Sequence, residues 1–184
     1  MHPRIQELLA YLTSAGVHLN DAVEAIPREQ RNVKPAADKW SVAEVLEHLS
    51  IVETNIAKLI TKRVAEGRAA GVGPERETRT VLWTLDSARV LDRRERIEAA
   101  DPVRPRAGLD ADAAMAALSK AQAAIRDVVI AADGLALGEI THPHRVFGSL
   151  DMYQWIVFTA THEMRHILQI REIGASLKAA AAAT

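Results

Sequence analysis

The chain contains no cysteine. Disulfides, thiolate metal ligands and a cysteine nucleophile are therefore all excluded. Aromatic residues amount to only 4% of the sequence. β-Branched residues rarely alternate with polar ones, so strands find little support. Charge of one sign is also missing: 23 Lys and Arg stand against 24 Asp and Glu, a formal net charge of -1. Such a balance argues against a nucleic-acid-binding or membrane-surface protein. No apolar run is long enough to span a bilayer. Met1-His2-Pro3-Arg4 leads directly into an amphipathic pattern and does not read as a signal peptide, so a cytoplasmic location is expected.

What the chain does have is length, alanine and helical periodicity. Its 184 residues, 48% of them hydrophobic, suit one domain with a substantial core. Abundant alanine favours helix. Ile5, Leu8, Leu9, Leu12, Leu19, Val23 and Ile26 recur at helical spacing. Pro27 and the polar stretch to Lys39 end that segment. Ser41 and Glu44 then spell a capping box, with Trp40 before the cap and Val45 placed for a hydrophobic staple. The helix they start carries Val45, Leu46, Leu49, Val52, Ile56, Leu59 and Ile60 on one side and is expected to fade near Gly67.

Residues 67–108 form a long crossover broken by Gly71, Gly73, Pro74, Pro102 and Pro105. A segment of this length without structure of its own would be unusual, so it is expected to be functional or partly ordered. Within it, the mixed signs of Arg93-Arg94-Glu95-Arg96 read as a solvated face. A third long helix starts near Asp110 and closes at Asp133-Gly134. After a loop from Thr141 to Gly148, Ser149 is placed to cap a last helix, with Asp151 in its first turn and Gly174 as its stop. Four long helices with one long crossover make an all-α four-helix bundle. A single domain is expected over residues 1–176, followed by an alanine-rich tail, 177–184, that frays.

The last helix contains His162-Glu163-Met164-Arg165-His166. Histidines four apart on a helix lie one turn apart on the same face, a geometry that suits two imidazoles binding one metal ion. Trp155, Phe158, Thr159, Gln169 and Ile173 share their stripe, so the pair faces the core. Buried imidazoles need polar partners, and a metal satisfies one nitrogen on each ring. His48 is the best candidate for a third ligand. It lies one turn after Val45 and one turn before Val52, on the buried side of its helix. Three neutral imidazoles would leave coordination positions open for water or substrate. Affinity for the metal should fall below about pH 6.5, because ligating histidines must be neutral.

The same five residues match H-E-x-x-H, the zinc-peptidase signature. That reading needs Glu163 as general base and a third ligand downstream. The one carboxylate after His166 is Glu172, on the same helix, where it cannot close round the metal. Other residues near the motif read more simply. Arg165 turns to a neighbouring face as a salt-bridge or interface residue. Gln169 is either a support for a ligand or bound water, or a buried amide. Glu47 is expected to face away from the site, towards solvent or a partner. His142 and His144 sit on a loop that could border the pocket, with His142 the more interesting. Trp40 and Trp155 read as core anchors.

Two segments carry a family resemblance. The run from Trp40 to Leu49, W-S-V-A-E-V-L-E-H-L, resembles the second-helix motif of the DinB-like superfamily. His162 to Ile170 resembles its C-terminal motif, H-x-x-R-H-x-x-Q-I, and His142-Pro143 with Phe147-Gly148 resembles the loop before that helix. The resemblance implies up-down-down-up topology and a divalent metal on His48, His162 and His166. Zinc or nickel is the first choice and iron or manganese the second. It also implies a homodimer, a small-molecule substrate and, by analogy with some relatives, transfer of a low-molecular-weight thiol. On that reading the metal is a Lewis acid that lowers the thiol pKa for attack on an electrophile. The alternatives are a non-catalytic metal-binding or interaction protein and a metal-dependent hydrolase. No catalytic or cofactor-binding side chain beyond the three histidines is identified.

Overall fold

Side-chain capping sets where each long helix begins. The computed structural model describes residues 1–94, 98–106 and 108–182. Helix α1 spans Pro3–Glu24, with proline in its first turn, where a missing N–H costs nothing. Helix α2 spans Val42–Ala69. The expected capping box is present: Ser41 Oγ accepts from the Glu44 amide at 3.2 Å, and Glu44 Oε2 accepts from the Ser41 amide at 2.8 Å. A short helix α3, Ser87–Leu91, orders part of the crossover. Helix α4, Ala111–Ala131, is capped by Asp110. Helix α5 spans Met152–Ala182. The protein is thus mostly helical, and no helix among the described residues is long and apolar enough to cross a membrane.

Three details differ from the sequence expectation. The segment read as a loop is an antiparallel hairpin, β1 (Thr141–His144) with β2 (Gly148–Asp151). Ser149 lies within β2, opposite Pro143, and does not cap α5. Asp151 does: its Oδ1 accepts from the Gln154 amide at 2.8 Å, and Gln154 Oε1 accepts from the Asp151 amide at 2.9 Å. This reciprocal pair has the logic of a capping box three residues wide.

Gly174, taken as the stop of the last helix, is the third difference, whereas α2 does end close to Gly67, at Ala69. Gly67 is inside α2, where an added Cβ would press into Ile140, with Cγ1 at 2.9 Å. Gly174 is inside α5, where a Cβ would meet Ile26 Cγ1 at 3.1 Å. Both permit close approach, and Gly174 does not stop its helix. Helix α5 therefore continues through the alanine-rich tail to Ala182, and Leu177 is buried. Ala183 and Thr184 lie outside the described residues, as do Glu95 and Arg96 of the charged run.

The core divides into two apolar clusters. One joins Ile5 and Leu8 of α1, Ile56 and Ile60 of α2, Ile125 and Val129 of α4, and Ile156 and Val157 of α5. The other joins Leu19 and Val23, Leu46 and Leu49, Ala114 and Leu118, and Ile167 and Ile170 of the same four helices. Full burial of each such aliphatic side chain stabilises by about 1.5–3 kcal/mol. Between the two clusters lies a level of buried polar side chains: His48, Glu53, Glu163 and His166. The fold places its chemistry there.

Candidate metal centre

Helix α2 contributes His48, and α5 contributes His162 and His166 one turn apart. Their ligand nitrogens all lie within 4.8 Å of one another. The ring centroids are 4.5 Å apart for His162 and His166, 4.9 Å for His48 and His166, and 5.4 Å for His48 and His162. His48 and His166 are buried, and His162 is half-buried. The three residues singled out in the sequence are thus brought together.

The outer nitrogens set the tautomers. His48 Nδ1–H donates to the Val103 carbonyl at 2.7 Å. His166 Nδ1–H donates to Gln169 Oε1 at 2.8 Å. In each neutral ring this leaves Nε2 as a lone pair. Metal-bound histidines are oriented by the same device, the second nitrogen tied to a carbonyl or carboxylate. His166 Nε2 stands 3.1 Å from His162 Nε2. Two nitrogens about 2.0–2.1 Å from one tetrahedral ion are about 3.3 Å apart, so the pair already has close to the bite a shared ion requires.

Burial lowers the pKa of all three imidazoles, and of His162 and His166 to well below the usual 6.5. For His162 the main cause is desolvation, followed by repulsion from His48, and for His166 desolvation followed by His162. The rings are therefore neutral at physiological pH, the state in which they ligate. The donor set, its tautomers and its spacing fit a divalent ion.

Neighbouring aromatics wall the cluster. Trp40 lies 5.1 Å from His48, and Phe158 stacks on His162 at 5.2 Å and 19°. His144 packs on Phe158 at 4.6 Å and on Trp155 and Phe147 at 5.0 Å each. Its Nδ1 accepts from the Val146 and Phe147 amides at 3.1 and 3.3 Å, so its proton is on Nε2. Of the two hairpin histidines it is His144, not His142, that joins this wall. Both lie on the same face of β1, and His144 is the one that also reaches Phe158. His142 lies 6.0 Å from Trp155, further out than His144.

Several expectations change here. Glu47 does not face solvent; it is buried and accepts from the Arg106 amide at 2.8 Å, tying the crossover to α2. Gln169 acts as the support for His166. Arg165 donates to the Val90 carbonyl at 2.9 Å and to that of Asp92, anchoring the crossover to α5. Glu163 points away from the histidines and accepts from Gln122 of α4 at 2.7 Å, which removes the general base that a peptidase needs. Glu172 is engaged with Arg93 at 3.0 Å. Val103 is the functional residue the sequence did not show. It acts through its backbone carbonyl, at the end of a single 3-10 turn, Asp101–Val103, that Pro102 helps to start.

The "Uncharacterized protein YuaE" of Bacillus subtilis (strain 168) is 28% identical over 154 residues, covering 82% of this chain and 87% of that protein. No solved structure gives a significant match. The family described as the DinB superfamily matches residues 11–170, a span that takes in all three histidines, and the chain belongs to that family.

Proposed function

We propose that this protein is a metal-dependent enzyme that transfers a low-molecular-weight thiol to an electrophilic small molecule at His48, His162 and His166. The observation that carries the reading is the convergence of three neutral imidazoles whose outer nitrogens are tied to Val103 and Gln169. A bound zinc or nickel ion, or iron or manganese, supplies a Lewis acid that makes a thiol acidic enough to react at neutral pH. The protein's own part is to present three uncharged nitrogens and to bank the half-buried His162 with Phe158 and its aromatic neighbours. These apolar faces would exclude water and favour an apolar electrophile.

The same reading includes an up-down-down-up four-helix bundle. The grouping of core residues supports it: the first halves of α1 and α5 share a cluster with the second halves of α2 and α4. It also includes a homodimer, on the family's habit alone, which light scattering checks.

Metal analysis of the purified protein, joined to thiol-consumption assays with glutathione, bacillithiol and mycothiol against alkylating electrophiles, tests the proposal. Turnover that depends on stoichiometric metal and is lost in His166→Ala supports it. Stoichiometric metal without turnover would leave a metal-binding protein, and incorporation of water in place of thiol would make it a hydrolase.

A further inference from the structure

The polar level of the core has a second side that the histidines do not use. Glu53 of α2 and Glu163 of α5 are both buried, at 1% and 2% exposure. Both oxygens of Glu53 and Oε2 of Glu163 have no donor beyond one another, the two carboxyls standing close enough to share a proton. Gln122 Nε2 donates to Glu163 Oε1 at 2.7 Å and holds that carboxyl in place. Two adjacent carboxyls without a cation are expensive to bury, since each orphaned oxygen forfeits its hydration. They form the floor of a cavity of about 300 Å³ between α1 and α4, with Leu12, Gly16, Val17 and Ile125 among its lining residues. The cavity belongs to a different face of α5 from the histidines, because Glu163 is turned to α4.

We propose that this cleft binds a small primary amine as its ammonium ion, with the carbon chain lying between α1 and α4. Three orphaned carboxylate oxygens match the three N–H donors of an ammonium group, and charge-assisted bonds of that kind are the strong ones. A hard divalent cation fits less well, since calcium takes 6–8 oxygens and magnesium six in a regular shell, while beyond the two carboxyls the lining offers only the neutral side-chain oxygens of Thr13, Asn20 and Gln122. At the rim, Arg126 is held by Thr13 Oγ1 at 2.5 Å and by the Leu9 carbonyl. Its positive charge disfavours a second ammonium at the far end of the ligand, so the cleft selects monoamines over diamines.

Calorimetric titration of the full chain at neutral pH with n-butylamine, and in parallel with putrescine, magnesium and calcium, tests this. The expected result is saturable single-site binding of n-butylamine, weaker binding of putrescine and none of the divalent ions at this cleft. Glu53→Gln keeps the shape and removes the charge, and should weaken the amine by at least about tenfold. Glu163→Gln reads the same loss should the first variant fail to fold. His48→Ala should keep amine binding, which separates this site from the metal centre. Absence of saturable amine binding would mean the carboxyls merely share a proton and would overturn the proposal. So would full affinity in a folded Glu53→Gln, loss of amine binding in a folded His48→Ala, or a divalent ion displacing the amine.

Discussion

Replacing His48 with alanine removes one of three converging nitrogens and leaves the other two, on α5, in place. Structural zinc sites are worth about 10–16 kcal/mol across four ligands, or about 3 kcal/mol for each. Loss of one ligand should therefore raise the metal Kd by about a hundredfold. The fold should survive. The substitution leaves the Val103 carbonyl without its 2.7 Å partner and opens space beside Trp40. Together these cost the metal-free protein about 1–3 kcal/mol. Competition against a chromophoric chelator measures the Kd, and a thermal melt of the metal-free variant confirms folding. His144→Ala is the control: that ring touches Phe158 and Trp155 but is outside the ligand cluster, so its Kd should match the unaltered protein. A folded His48→Ala with unchanged Kd would refute the three-histidine site.

Other outcomes follow from the same contacts. Gln169→Leu leaves His166 Nδ1 without its acceptor and should weaken metal binding about 10–100-fold, less than or equal to the loss in His48→Ala; chelator competition checks the order. The pH dependence of binding should differ from that of exposed histidines. Burial depresses all three pKa values, so protons begin to compete only below the usual 6.5, and a decline in affinity already complete between about pH 7.5 and 6.5 would contradict it.

In the metal-free protein the unfolded histidines take up protons first as pH falls below about 6.5, so stability drops there by up to about 1.4 kcal/mol per pH unit for each ring. Glu53 acts in the opposite sense. Burial, and then Glu163, raise its folded pKa well above 4.5, so its destabilising effect grows as pH rises above that value. Glu53→Gln should accordingly melt higher than the unaltered protein at pH 7, and the difference should shrink as pH falls towards 4.5. Ser41→Ala should lower stability by about 1 kcal/mol in a denaturant melt, through loss of the α2 cap.

Local rules made part of this protein readable from its residues alone. Apolar spacing and the Ser41–Glu44 box are short-range features, so the long helices and the start of α2 could be placed without coordinates. The one-turn spacing of His162 and His166 put them on one face before any fold was known. His48 could be named because a histidine among Val45, Leu49 and Val52 has to be buried. Local rules failed where a residue's meaning depends on a distant neighbour. Gly174 looks like a helix stop, but Ile26 packs against it and the helix runs on. Ser149 looks like a cap until β2 pairs with β1 and passes that role to Asp151. Only the tertiary structure could bring the Val103 carbonyl to His48, turn Glu47 inward and set Glu53 beside Glu163, because such contacts join segments far apart in the chain. The sequence by itself determined which side chains can ligate a metal. The packing of α2 against α5 decided that they meet, and the crossover decided which nitrogen of His48 is free to bind.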